Sequence, residues 1–150
     1  MAYTKTNWVD GETPITANNL NKIENQLENN TNDIEGLIDY SSDEIVIGKW
    51  INNKNLYRKV IDIGSLPSSA GSKTIPTGLN FQNVCVCRKL YGMAVNPNNG
   101  VSLPLPFVAI IPENCISIVI DTNSNILITV GGNRSGVSGY AVIEYTKNND

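Results

Sequence analysis

Histidine is absent from all 150 residues, and cysteine occurs only three times. Without histidine there is no imidazole to act as general base, and no serine sits in a nucleophile elbow, so nucleophilic catalysis has no machinery. A structural zinc site would need a fourth ligand beside Cys85, Cys87 and Cys115, and none is offered. The three thiols read as small apolar core residues, because two positions apart on one strand is poor geometry for a Cys85–Cys87 bridge. Basic excess is missing too: 11 Lys and Arg face 14 Asp and Glu, a net charge of -3. That balance argues against nucleic acid or an anionic membrane surface as partner. No apolar run approaches the roughly 20 residues of a membrane span. No charged n-region followed by an apolar stretch opens the chain, so no secretory signal is expected and synthesis in the cytoplasm is.

Carboxylates in the second half are few and scattered. Glu44, Asp62, Glu113, Asp121 and Glu144 read as turn or solvent-face residues, so no catalytic residue is assigned and no enzyme is expected. Asp121-x-Asn123-x-Asn125 opens like a calcium loop but has Ile126 where glycine belongs and Gly132 where the bidentate Glu belongs. It reads as an Asx-rich turn. No cofactor or metal is expected.

What the chain has is a thin apolar stripe near its start. Leu20, Ile23, Leu27, Ile34 and Leu37 recur at alternating three- and four-residue steps, with Asn30 completing the a/d seam of a coiled coil. Thr16 is the expected N-cap of a helix over 17–38, a rod of about 33 Å at 1.5 Å per residue. The Leu20/Ile23 layer leans toward three or four strands, and Asn30 in the seam fixes register at a cost in stability. The flanking positions carry no complementary charges, so self-association is the simplest outcome. A lone amphipathic helix lying on the rest of the chain is the other reading.

From Glu44 onward the pattern turns to short β-rich runs separated by Gly, Pro, Asn and Ser. Strands are expected at Glu44–Ile51, Leu56–Ile63, Val84–Val95, Leu103–Ile110, Ile116–Asp121, Asn125–Val130 and Gly139–Thr146. Their spacing predicts an antiparallel β-sandwich of about a hundred residues. Asn52–Asn55 and Asp121–Asn125 are expected hairpin turns, and Pro104 and Pro106 are confined to an edge or a strand end. The expected organisation is residues 1–16 as a polar leading segment, 17–39 as a stalk helix and 40–150 as a β-sandwich head, mainly β overall.

Sugar-binding surfaces pair aromatic faces with planar amides or Arg. Candidates for stacking are Trp50, Tyr57, Tyr91 and Tyr140, and for hydrogen bonding Asn98, Asn99, Asn133 and Arg134. Trp50 and Tyr57 fall in expected strands, where core burial competes. The strongest group is the Gly-rich loop Asn133, Arg134, Ser135 to Tyr140, expected to bring Arg134 and Tyr140 near one another. Arg134 suits either sugar hydroxyls or a salt bridge between subunits.

Two stretches carry a resemblance. Tyr3-Thr-Lys-Thr-Asn-Trp-Val-Asp-Gly-Glu-Thr-Pro-Ile-Thr-Ala17 with Asn19-Leu-Asn-Lys-Ile-Glu24 resembles the N-terminal segment of tail proteins of phages and prophages of Gram-positive bacteria. Tyr40–Ile51, Leu56-Tyr57, Leu103-Pro-Leu-Pro-Phe107 and Ile143-Glu-Tyr-Thr-Lys147 are similar to the tip domain of the same proteins. The resemblance implies a receptor-binding protein or tail fibre at the virion tail tip. Such a protein is a homotrimer with a coiled-coil shoulder and a β-sandwich head gripping host cell-wall or surface saccharide. Its N-terminal segment would meet a baseplate or tail protein. A tail or baseplate connector that binds no host receptor is the alternative. No individual sugar-contacting residue is carried over.

Overall fold

The structure, a computed structural model, describes residues 7, 9, 12, 14–38 and 40–150, the side chains of 33 and 35–38 excepted. The 1–16 segment therefore lies largely outside the described residues, as does the side chain of Leu37. The chain divides into two compact units, Met1–Asp39 and Tyr40–Asp150.

In the first unit, helix α1 runs over Ala17–Ile38. Thr16 caps it: the Asn19 amide donates to Thr16 Oγ1 at 3.2 Å, and the Leu20 amide to the Thr16 carbonyl at 3.0 Å. The first bond satisfies an N–H that the opening turn leaves without an intrahelical partner, and the second is the first bond of the helix ladder. Leu20, Leu27 and Ile34 are exposed and Ile23 is half-buried. Asn30 Oδ1 accepts from Gln26 Nε2 at 2.7 Å.

The second unit is mainly β, with two antiparallel sheets. Its strands are β1 (Ile45–Lys49), β2 (Asn55–Ser65), β3 (Gly71–Pro76), β4 (Cys85–Val95), β5 (Ser102–Leu105), β6 (Ile116–Ile120), β7 (Asn125–Val130) and β8 (Ser138–Lys147). One sheet has the order β1-β2-β8-β4-β5 and the other β3-β7-β6. Period-two alternation decides which faces meet. Ile116 and Ile118 on β6 and Ile126, Ile128 and Val130 on β7 turn inward. They join Ile61 and Ile63 of β2, Ala94 of β4, Leu105 of β5 and Ala141, Ile143 and Tyr145 of β8 in one core. Tyr145 is fully buried, stacked on Tyr57 at 5.6 Å and edge-on to Phe81 at 5.9 Å. Cys85 lies in this core, Cys87 packs against it, and all three cysteines are free thiols.

Both expected hairpin turns are present. Asn53 takes a positive φ between β1 and β2, and the β6–β7 turn is tied by Asp121, whose Oδ1 accepts from the Asn123 and Asn125 amides at 2.8 Å each. The Asn125 amide above all holds the Asp121 carboxyl below the usual carboxylate range.

Four expectations are corrected. β3 was not anticipated: Gly71-Ser-Lys-Thr-Ile-Pro76 has one sizeable apolar side chain, Ile75, and becomes a strand by pairing at the edge of β7. The run Leu103–Ile110 is a strand only to Leu105; Pro106 follows, with no N–H for the ladder. Trp50 lies just beyond β1 rather than in it, with the Arg88 guanidinium 5.1 Å over its ring. Glu144 is buried on the outer face of the central strand β8 rather than solvated. It accepts from Arg58 Nη2 and from the Tyr91 hydroxyl, at 3.2 Å each.

Candidate functional site

Three turns meet where β4 ends and β8 begins, and two of them are shaped by an Asn side chain. Between β4 and β5, Asn96 Oδ1 accepts from the Asn98 amide at 3.0 Å, and the Gly100 amide, at φ 71°, donates to the Asn96 carbonyl at 2.9 Å. Between β7 and β8, Asn133 Oδ1 accepts from the Ser135 amide and hydroxyl at 3.0 Å each, an Asx turn that sets out Arg134. The third is the 3-10 turn Pro112–Asn114 ahead of β6. It sits hard against Gly131: a Cβ there would stand 2.1 Å from the Pro112 carbonyl oxygen. Only glycine permits that approach.

Together these turns wall an open concavity of about 300 Å³. Its polar lining is Asn96, Asn99, Asn114 and Arg134, and its apolar floor includes Phe107, Leu103 and Val137 at the edge of the core. Arg134 is anchored inside it, Nη2 donating to Asn114 Oδ1 at 2.8 Å and to the Glu113 carbonyl at 3.2 Å, and Nη1 to the Asn133 carbonyl at 3.2 Å. Its Nε is buried with no hydrogen-bond partner among the described residues.

A second concavity, of about 420 Å³, opens on the outer face of the five-stranded sheet. Asp62, Ser65, Met93, Ser138 and Tyr140 line it.

The residues singled out from sequence are distributed unevenly. Arg134 and Asn99 meet in the first concavity, and Tyr140 lines the second. Arg134 and Tyr140 thus share no concavity, because β8 begins at Ser138 and places Tyr140 inside the strand, opposite Asp62 and Met93. Asn133 and Ser135 spend their side chains on the turn, and Asn98 contributes its amide to the neighbouring one. Tyr57 is core, and Tyr91 bonds Glu144. Asn96, Asn114 and Phe107 were missed. The Asn-Pro-Asn-Asn-Gly run marks Asn96 as a turn opener, while Asn114 and Phe107 become neighbours of Arg134 only through long-range pairing.

Among the described residues no group of His, Cys, Asp and Glu is arranged to hold a metal ion. No described helix is long and apolar enough to cross a membrane. No family model, curated protein or solved structure matches the chain.

Proposed function

We propose that the chain is a phage tail receptor-binding protein that attaches the virion to host cell-surface saccharide. In this reading residues 40–150 are the head, α1 is the stalk of a parallel homotrimeric coiled coil, and the N-terminal segment docks on the baseplate. The observation that carries it is the concavity around Arg134. An aromatic residue, three amides and a guanidinium converge there on a rigid β scaffold, the mix that holds a sugar ring by its C–H face and its oxygens. The exposed Leu20, Leu27 and Ile34 stripe supports the stalk, since identical helices offer it a matching seam. The N-terminal sequence resemblance supports the tail location.

A glycan array probed with the purified full chain tests the reading. Retention on a restricted set of bacterial surface glycans, weakened at least tenfold by Arg134→Ala without loss of fold, is the expected result. Array-wide silence together with unimpaired attachment to tail particles would instead favour the connector. That second reading has its own support in the uncovered Val108, Ile110 and Ile111 beside the concavity, an apolar contact surface of the kind a connector needs.

A further inference from the structure

The hydrogen-bonding sense of the Arg134 concavity is one-sided. Asn96 Oδ1 accepts from the Asn98 amide, Asn99 Oδ1 from the Val101 amide at 3.1 Å, and Asn114 Oδ1 from Arg134 Nη2. Each donor is an N–H, so each oxygen assignment is fixed by its partner. Each of the three Asn side-chain oxygens therefore already accepts one bond from the protein. The Nδ2 groups of the same side chains make no hydrogen bond among the described residues. What these side chains leave wholly unused is their donors.

Charge points the same way. No described carboxylate lines the concavity or pairs with Arg134. Among the described residues the guanidinium is met by neutral oxygens, those of Asn133, Glu113 and Asn114; Glu113 offers its carbonyl. A cation held partly out of water, with Nε unpartnered, carries a desolvation cost that its present partners offset only in part. A neutral sugar hydroxyl both donates and accepts, and on this wall its proton must share an Asn oxygen that already accepts from the protein. An oxyanion only accepts.

Resting on the saccharide-binding reading above, we infer that this concavity takes the oxyanion of an acidic saccharide, a phosphate or a carboxylate, with Arg134 as its counter-charge and the Asn96, Asn99 and Asn114 amides as its donors. Phe107 and Leu103 lie beneath for the ring that bears it.

The test is a titration of the full-length protein followed through its side-chain NH2 signals in nitrogen-15 correlation spectra. The probes are glucose 1-phosphate, glucuronate, methyl glucoside and inorganic phosphate. The expected result is that the Asn96, Asn99 and Asn114 signals move with glucose 1-phosphate or glucuronate at least tenfold below the concentration methyl glucoside needs. Which of the two binds tighter identifies phosphate or carboxylate as the source. Raising salt from 50 to 300 mM should weaken either. Asn99→Asp keeps the acceptor for the Val101 amide but swaps the open donor for a charged oxygen, and should lose at least tenfold. Arg134→Gln should lose the preference over methyl glucoside, its fold checked by the spread of backbone signals. Methyl glucoside binding as tightly as the acidic sugars overturns the inference and leaves the saccharide reading standing. Inorganic phosphate matching glucose 1-phosphate supports the oxyanion site and removes the sugar from it. No movement with any probe overturns the inference, and the glycan array then decides the broader reading separately.

Discussion

Tyr145 shows how one side chain can serve two purposes. Its ring fills the core against Tyr57 and Phe81, while its hydroxyl donates to the Glu44 carboxylate, which also pairs with Lys147. Removing only the hydroxyl, Tyr145→Phe, should cost about 1 kcal/mol, because Glu44 is exposed enough for water to replace the bond. Tyr145→Ala should cost about 3–5 kcal/mol, as a large core ring leaves a cavity. Urea unfolding of the two variants measures both, and equal losses would contradict this division. Burial first, then Glu44, pushes the Tyr145 phenol above its ordinary value, and burial does the same to Tyr91. Glu44 raises the Lys147 ammonium. In the unfolded chain phenols ionise at about pH 10 and lysines at about 10.4. All three groups keep their protons longer when folded, so their contribution is complete below those values and is lost as pH rises past them. Burial also raises the Cys85 and Cys87 thiols, which ionise at about pH 8.5 when unfolded, so urea midpoints should be level up to about pH 8, begin to fall above it and fall further beyond pH 10.

Elements were legible where the pattern was local. The 3.6-residue stripe and Thr16 marked the bounds of α1, and strict alternation in Ile116–Ile120 and Asn125–Val130 marked β6, β7 and their turn. β3 was illegible because its strand character comes from lying beside β7, and Glu144 looked solvated because Arg58 and Tyr91 reach it from the two neighbouring strands. The site was half legible for the same reason. Arg134 and Asn99 stand in recognisable turns, but their partner Asn114 arrives through the close approach at Gly131. Gly131→Ala should displace Pro112–Asn114, cost about 1–3 kcal/mol and weaken ligand binding with it. Thermal unfolding and the Asn114 side-chain signal report the two effects. For α1, sedimentation equilibrium should return three times the 16.3 kDa chain mass. Replacing Leu27 and Ile34 together with Asp should lower it toward one chain or leave an aggregate. A concentration-independent monomer of the unaltered protein would remove the trimeric stalk.

At the scale of the molecule, the division at Asp39 predicts unequal independence. A fragment of 40–150 carries the whole two-sheet core and should unfold cooperatively, with the aromatic near-UV signal of the full chain. A peptide of 14–39 should be weakly helical when dilute and gain helix with concentration, since single helices of this length are marginal in water. Circular dichroism of the two pieces checks both outcomes.

The order of strands in the larger sheet also governs when the β unit can exist. β8 is last of the eight described strands, yet it lies at the centre of that sheet, between β2 and β4. Until it arrives, β1 with β2 and β4 with β5 are two hairpin-like fragments, each exposing an unsatisfied edge. On the ribosome the nascent β unit must therefore wait, its apolar strands uncovered, until residues 138–147 clear the exit tunnel. The interval before that moment is when the unfinished chain is most open to chaperones and to sticking to its neighbours on the same message.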